Sequence, residues 1–252
     1  MALTSKITAI ADAIRSKTGG TEKLTLNAMP TEITNIPTGS YDIEDALVTR
    51  SLSGEYTNNR IVTVGNGALS WNKSLTSIDL PAVTTTESSA FAYCDKLTSV
   101  NLPVATSIGS SAFTWDESLT SVNLPAVTII ESSAFSDCRA LTTVNFLPAV
   151  TYIRPWAFSS CSALTSIDLP AVTTIEDYVF YNCDLLTSVI IRTTSQVCIL
   201  DGASVFTNSP IASGTGYIYV PDELVENYKA ATNWSTYADQ IKPLSEYVEE
   251  EV

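Results

Sequence analysis

From Ile61 to Ile191 large apolar residues return on a fixed beat. Leu75, Leu97, Leu119, Leu141, Leu164 and Leu186 each open a stretch of 22 residues, lengthened once by an extra residue near Leu147. Within a stretch such as "LTSIDLP", Leu75, Ile78 and Leu80 stand at positions 1, 4 and 6, separated by Thr76, Ser77 and Asp79. That spacing predicts a short strand with its large residues turned inward and its polar ones outward. Pro81 ends the strand, because proline cannot supply the next ladder donor. Val83 and the position of Ile108 then turn inward, and "SSAF" returns Ala90 and Phe91 to the core. A coil this thin cannot bury its apolar residues alone, so coils must stack, share one core and pair their strands in parallel at about 4.8 Å per coil. The pattern therefore predicts an α+β repeat protein, a leucine-rich solenoid with a parallel β ladder and a buried column of Phe91, Phe113, Phe135, Phe158 and Phe180. A degenerate earlier copy, "YTNNRIVTVGNGALSWNKS", keeps the register: Ala68 and Trp71 fall one period before Ala90 and Tyr93.

Both ends follow other rules. Leu3, Ile7, Ile10, Ala11 and Ile14 share one helical face, Thr4 or Ser5 can cap its start, and Gly19-Gly20 stops it. Leu26, Met29, Ile33 and Ile36 form a second stripe, with Pro30 tolerable in a first helical turn. A helical hairpin of this size cannot bury a core of its own and should dock on something else, with "PTGSYD" as the linker. At the far end Tyr217 to Val220 reads as a last strand, and the helical turns after it should bury Leu224, Tyr228 and Trp234 over the open end of the solenoid. The organisation expected is a helical attachment module and linker at 1–40, a degenerate capping repeat at 41–74, the solenoid at 75–215, and a strand-helix cap with an acidic tail at 216–252.

Composition narrows the chemistry. The chain has no histidine, which removes the usual general base, triad partner and commonest metal ligand. A net charge of -14 repels phosphate backbones and anionic lipid, so neither nucleic acid nor membrane insertion is expected. The start lacks the continuous apolar run of a secretory signal, and no stretch approaches a membrane span, so the chain reads as one made without an export signal. No catalytic residue, metal or cofactor is expected. Cys94, Cys138, Cys161 and Cys183 share one column, interrupted by Asp116, and read as small soft residues filling a tight inward turn. Cys198 stands outside the column and reads as free.

Three surfaces remain. Thr76, Ser77 and Asp79 and their repeats are so uniform that they read as a solvated, β-favouring face. Glu87, Glu131 and Glu176 share a column broken by Gly109 and Arg154, and alternate coils would hold them about 10 Å apart on an open edge, too far and too wet for glycosidase acid and base. Trp71, Tyr93 and Trp115 occupy one register position in successive coils, a candidate binding stripe suited either to stacking on sugar rings or to anchoring a protein interface.

The unit "LTSIDLPAVTTIEDYVFYNC", residues 164 to 183, resembles the BspA-type leucine-rich repeat, with its L-x-x-I-x-L-P strand and A-F-x-x-C turn. The likeness runs from about Ile61 to Ile191, and the closing segment "YIYVPDELVENYKAATNWSTYADQIKPL" is similar to one found after such repeats. It implies non-catalytic recognition or surface display. The stretched "IRTTSQVCILDGASVFTNSPIASG" departs from the pattern and leaves the register there open. The string "ITAIADAIRSKTGGTEKLTLNAMPTEITNI" is similar to a short module at the start of phage and prophage tail or baseplate-associated proteins. That resemblance implies attachment through residues 1–40 to tail or baseplate proteins or to sister chains, with Ile7, Ile10, Ile14, Met29, Ile33 and Ile36 as candidate attachment residues. The function expected is a non-enzymatic structural or recognition protein of a phage tail or tail-like particle, located on the virion, its solenoid binding a host surface protein or glycan. The alternatives are a bacterial cell-surface BspA-like adhesin and, more weakly, a glycan hydrolase.

Overall fold

Coils contribute strands to two faces rather than one. The Leu-x-x-Ile stretches form β2 (Gly54–Thr57), β4 (Leu75–Asp79), β6 (Ser99–Asn101) and β8 (Ser121–Asn123) of one four-stranded parallel sheet. A second four-stranded parallel sheet follows, with β11 (Ser166–Leu169), β13 (Ser188–Ile191), β15 (Tyr217–Val220) and β16 (Ile241–Pro243). The segments after the proline build a further, eight-stranded ladder from β1 (Tyr41–Ile43), β3 (Ile61–Val64), β5 (Thr85–Thr86), β7 (Ser107–Ile108), β9 (Ile129–Ile130), β10 (Tyr152–Ile153), β12 (Thr174–Glu176) and β14 (Ile199–Asp201). Sequence pattern predicts one ladder, and this second one is an addition: a two-residue strand is too short to show an alternation. The computed structural model describes residues 41–43, 52–142, 144 and 149–248. The helical hairpin expected at 1–40, including Ile7, Ile10, Ile14, Met29, Ile33 and Ile36, lies outside them. The chain divides into two units, Met1–Gly39 and Ser40–Val252, and all described residues belong to the second.

Register follows the period. Ile78 pairs with Val100 and Val100 with Val122, while Ile129 pairs with Tyr152, one residue further on, so the extra residue near Leu147 is absorbed before β10. Outward threonines tie the coils together. The Thr98 hydroxyl donates to the Thr76 carbonyl at 2.8 Å, Thr120 to Thr98 at 3.0 Å and Thr173 to Thr151 at 3.0 Å. Asn123 Nδ2 likewise donates to Asn101 Oδ1 at 2.6 Å, and Asn101 Nδ2 to Asp79 Oδ1 at 2.8 Å. The sameness of the Thr and Asx positions thus has a structural cause, since Thr98, Thr120, Asn101 and Asn123 each repeat a bond to the coil before. Its outer surface is a shallow groove of about 460 Å³ lined by Ser77, Asp79, Ser99, Asn101, Ser121 and Asn123.

Inside, Phe91, Phe113, Phe135, Phe158 and Phe180 are fully buried and stacked nearly parallel, with centroids 4.9, 5.2, 5.4 and 5.9 Å apart. Phe206 extends the column by one rung at 5.6 Å, which resolves the register left open after Leu186. The column ends where Tyr237 meets Phe206 edge to face at 5.2 Å. Tyr228 and Trp234 are buried beside it, and Leu224 packs partly buried against the core.

This closing segment also satisfies outer backbone groups in and beside β14, the last strand of its ladder. Tyr228 Oη accepts from Cys198 N–H at 2.9 Å and Trp234 Nε1 donates to the Cys198 carbonyl at 2.6 Å. Asn233 Nδ2 donates to the Leu200 carbonyl at 2.8 Å and Tyr237 Oη to that of Ala203 at 3.0 Å. An edge that would otherwise recruit another strand is closed by side chains.

Because Phe135 has a ring above and below it, Phe135→Ala should leave a cavity that stacked coils cannot collapse, costing about 3–5 kcal/mol in denaturant melts. A loss near zero would place Phe135 outside the core.

Candidate functional site

After the second ladder each coil makes two tight turns, and one corner residue of each lies in the left-handed region. At the first corner stand Gly67, Ser89, Ser111, Ser133, Trp156 and Tyr178, with φ of 61, 56, 56, 57, 64 and 58°. At the second stand Trp71, Tyr93, Trp115, Asp137, Ser160, Asn182 and Asn208, with φ of 63, 64, 62, 60, 60, 55 and 60°. This backbone costs about 1–2 kcal/mol for most L-residues and suits Gly, Asn and Asp, so the turn accounts for the small polar corners. It disfavours the five aromatic ones, whose rings must offset that cost through contacts of their own.

Trp71, Tyr93 and Trp115 make those contacts with one another. Tyr93 lies between the two indoles, 4.1 Å from Trp71 at an interplanar angle of 4° and 6.4 Å from Trp115 at 6°. Trp71 is 52% and Trp115 37% exposed, and Tyr93 is half-buried. From the following coil the Arg139 guanidinium lies 5.0 Å from the Trp115 ring centre and pairs with Asp137 at 3.1 Å and Glu117 at 3.6 Å. Lys73 lies 5.0 Å from the Trp71 ring centre and pairs with Asp95 at 2.6 Å. The three candidates are therefore brought together, with the two indoles exposed. They do not offer a row of open faces, however: Tyr93 is covered on both sides, so the stripe presents ring edges flanked by charges of both signs. Sequence periodicity sets the column but not the ring orientation, which removes most of the surface a sugar would stack on.

A second aromatic cluster is absent from the sequence reading. Trp156, 40% exposed, stacks on Tyr178 at 4.2 Å and 2°, and Tyr181 meets Trp156 edge-on at 5.7 Å and Tyr178 at 5.8 Å. Trp156 and Tyr178 occupy the corner held by serine in the three preceding coils, and Trp156 follows Ser133 by 23 residues because of the extra residue near Leu147. Correcting the register for that residue would reveal the pair.

The carboxylates and thiols are engaged in structural roles. Glu87 Oε2 accepts from Asn66 N–H at 2.9 Å, Glu131 pairs with Arg154 at 3.2 Å, and Glu176 accepts from the Tyr152 hydroxyl. Gly109 interrupts the column because a Cβ there would lie 2.4 Å from the Glu87 backbone. Cys94, Cys138, Cys161 and Cys183 are buried, and each thiol donates to a carbonyl of the preceding coil: Leu69, Phe113, Phe135 and Phe158, at 3.2, 3.1, 3.1 and 3.2 Å. Burial pushes the thiols up, Cys183 and Cys198 to about 12, so they stay protonated near neutrality. Among the described residues no group of side chains could hold a metal ion, and no helix is long and apolar enough to cross a membrane.

Asp116 is the exception in the thiol column. It is fully buried, its Oδ1 accepts from Cys94 N–H at 2.7 Å, and its Oδ2 has no partner. Burial raises its carboxyl well above the ordinary range, against the Cys94 bond that lowers it, and nearby Asp95 adds to the rise.

The BspA type leucine-rich repeat region matches the chain in six copies, over residues 2–114 and 106–216. Among solved structures, a leucine-rich repeat protein from Eubacterium ventriosum is similar at 29% identity and a TM-score of 0.57, over 64% of this chain and 44% of that one. The chain thus spans less than half of that protein's length. A leucine-rich repeat protein from T. pallidum is similar at 23% identity and a TM-score of 0.50, over 58% of this chain and 72% of that one, a likeness of fold. No curated protein matches the chain.

Asp116→Cys should restore the thiol column and stabilise the fold by about 1–3 kcal/mol at pH 7, the cost of an unsatisfied buried polar group. The folded carboxyl titrates above the unfolded one. Its stabilising contribution is therefore complete below about pH 4 and lost as pH rises toward the folded value, so the gain should shrink near pH 3. Denaturant melts of both proteins at the two pH values test this, and equal stability at pH 7 would contradict it.

Proposed function

Because the chain belongs to the BspA-type leucine-rich repeat family, we propose that it is a non-enzymatic recognition protein whose solenoid presents its turn face to a partner protein on a cell surface. The observation that carries this reading is the exposed Trp71–Tyr93–Trp115 stack, kept at left-handed corners where other coils carry Asp, Ser or Asn. Rigid aromatic rims set among Lys73, Asp95, Glu117 and Arg139 match the composition of protein-interface anchors: large apolar area that is already ordered, within a rim of both charges. Buried thiols and carboxylates occupied by neighbouring coils support a binding role over a catalytic one.

A bacterial surface adhesin is one form of this reading, supported by the repeat family. The likeness of residues 3–36 to tail and baseplate-associated proteins supports a particle-borne form, in which residues 1–40 join the solenoid to a tail assembly or to sister chains and the location is the virion. Co-sedimentation of the full chain with tail particles would favour the second form, and its failure the first.

The double variant Tyr93→Asn/Trp115→Asn removes two rings yet puts a residue that tolerates left-handed backbone at each corner, so the fold should be kept. Labelled wild type should bind panels of bacterial and epithelial cells in a protease-sensitive way, and the variant about 30-fold more weakly, the equivalent of about 2 kcal/mol. Equal binding by both would remove the stripe as the interface.

A further inference from the structure

The aromatic ladder at the first corner is incomplete. Tyr178 covers one face of Trp156 from the coil that follows. The coil before carries Ser133 at the same corner, and Ser133 N–H donates to the Pro155 carbonyl at 3.1 Å, so this short side chain is the immediate neighbour beneath the other side of the indole. Ser111 and Ser89 continue the low track. Among the described residues no ring or cation is stacked on that second face. Tyr178 and Tyr181 brace the indole from the other side, and Pro155 limits the backbone that carries it. The surface therefore has a step: a rigid, 40% exposed indole standing one coil above a run of serines, with a place for one more flat ring over Ser133.

Polar groups beside the step select the ring. Glu131, 33% exposed, and Arg154, 42% exposed, face each other at 3.2 Å at the entrance to the same two corners. The Arg154 Nε–H is buried yet not aligned on an acceptor. An aromatic side chain from a partner would cover these groups without using them. A pyranose with equatorial hydroxyls presents a flat face of axial C–H bonds to the negative face of the indole and a rim of hydroxyls that can both accept and donate. Arg154 is already paired, Glu131 and Glu176 are adjacent, and the chain carries a net charge of -14, all of which disfavours an anionic sugar.

We propose that the step formed by Trp156 above Ser133 is a subsite for one uncharged, equatorially substituted hexopyranose of a surface glycan, its ring taking the rung that Ser133 leaves empty and its hydroxyls meeting Ser133, Glu131 and Arg154. This goes beyond the protein-binding stripe and rests on the recognition reading only in taking the turn face as the functional one.

The test uses the full chain with cellotriose and chitotriose as probes and oligogalacturonate as the anionic control, followed by tryptophan fluorescence and calorimetry. Wild type should bind at least one uncharged probe and not the control. Trp156→Ser, which restores the residue of the preceding coils, and Ser133→Tyr, which fills the empty rung, should each weaken binding about tenfold or more with unchanged melting temperature. Tyr93→Asn/Trp115→Asn should bind the probes as wild type does. No binding of either uncharged probe up to about 10 mM, or unaltered binding by both corner variants, would overturn the subsite. Protease-sensitive cell binding that depends on Tyr93 and Trp115 would still stand in that case, so the two readings fail separately. If Ser133→Tyr proves unfolded, Trp156→Ser alone decides.

Discussion

A coil of 22 residues is too thin to remove a phenylalanine and four to six aliphatic side chains from water by itself, so coil-on-coil stacking is what everything else depends on. Phe135 is buried only because Phe113 and Phe158 lie on either side of it. The same neighbours align the backbones, so Ile78 faces Val100 and Thr98 reaches the Thr76 carbonyl. Polar side chains follow this rule as closely as apolar ones do. The Thr98 and Thr120 hydroxyls, the Asn101 and Asn123 amides and the thiols of the cysteine column bond the coil before them, whereas Asp116 does so through Oδ1 and leaves Oδ2 buried without a partner. At the C-terminal end, where no next coil exists, Tyr228, Asn233, Trp234 and Tyr237 take its place.

Stacking also decides what the surface can do. A residue repeated at one corner is held about 4.8 Å from its counterparts, near the distance at which aromatic rings lie face to face. Aromatics in successive coils therefore cover each other, as Tyr93 is covered by Trp71 and Trp115, and the surface they offer is a rim. An open face arises where an aromatic borders a small residue with no other group laid over it, as Trp156 follows Ser133. The two clusters are thus suited to different partners although they are built from the same side chains.

How much of this could be read in advance varies with the physics. Burial of Leu75, Ile78, Leu80 and the phenylalanine column was legible because one period fixes which residues point inward. The thiol column was legible for the same reason. The ladder through Thr85–Thr86 and Ser107–Ile108 was not, because its central strands are two residues long and pair through the backbone. Ring orientation at Tyr93 was hidden because side-chain torsions leave no trace in a periodic pattern. Trp156 and Tyr178 escaped because the extra residue near Leu147 moves them out of line with the serines they replace.

The central claim is that each 22-residue coil is an interchangeable rung, and the most direct measurement is guanidinium unfolding of a chain lacking residues 97–118. This deletion joins Lys96 to Leu119 and keeps every column in register. The account predicts one cooperative transition with a smaller m-value, since one coil less surface is exposed on unfolding, and a stability lowered by one coil and its interface. Loss of the cooperative transition on removing this single complete rung would contradict it.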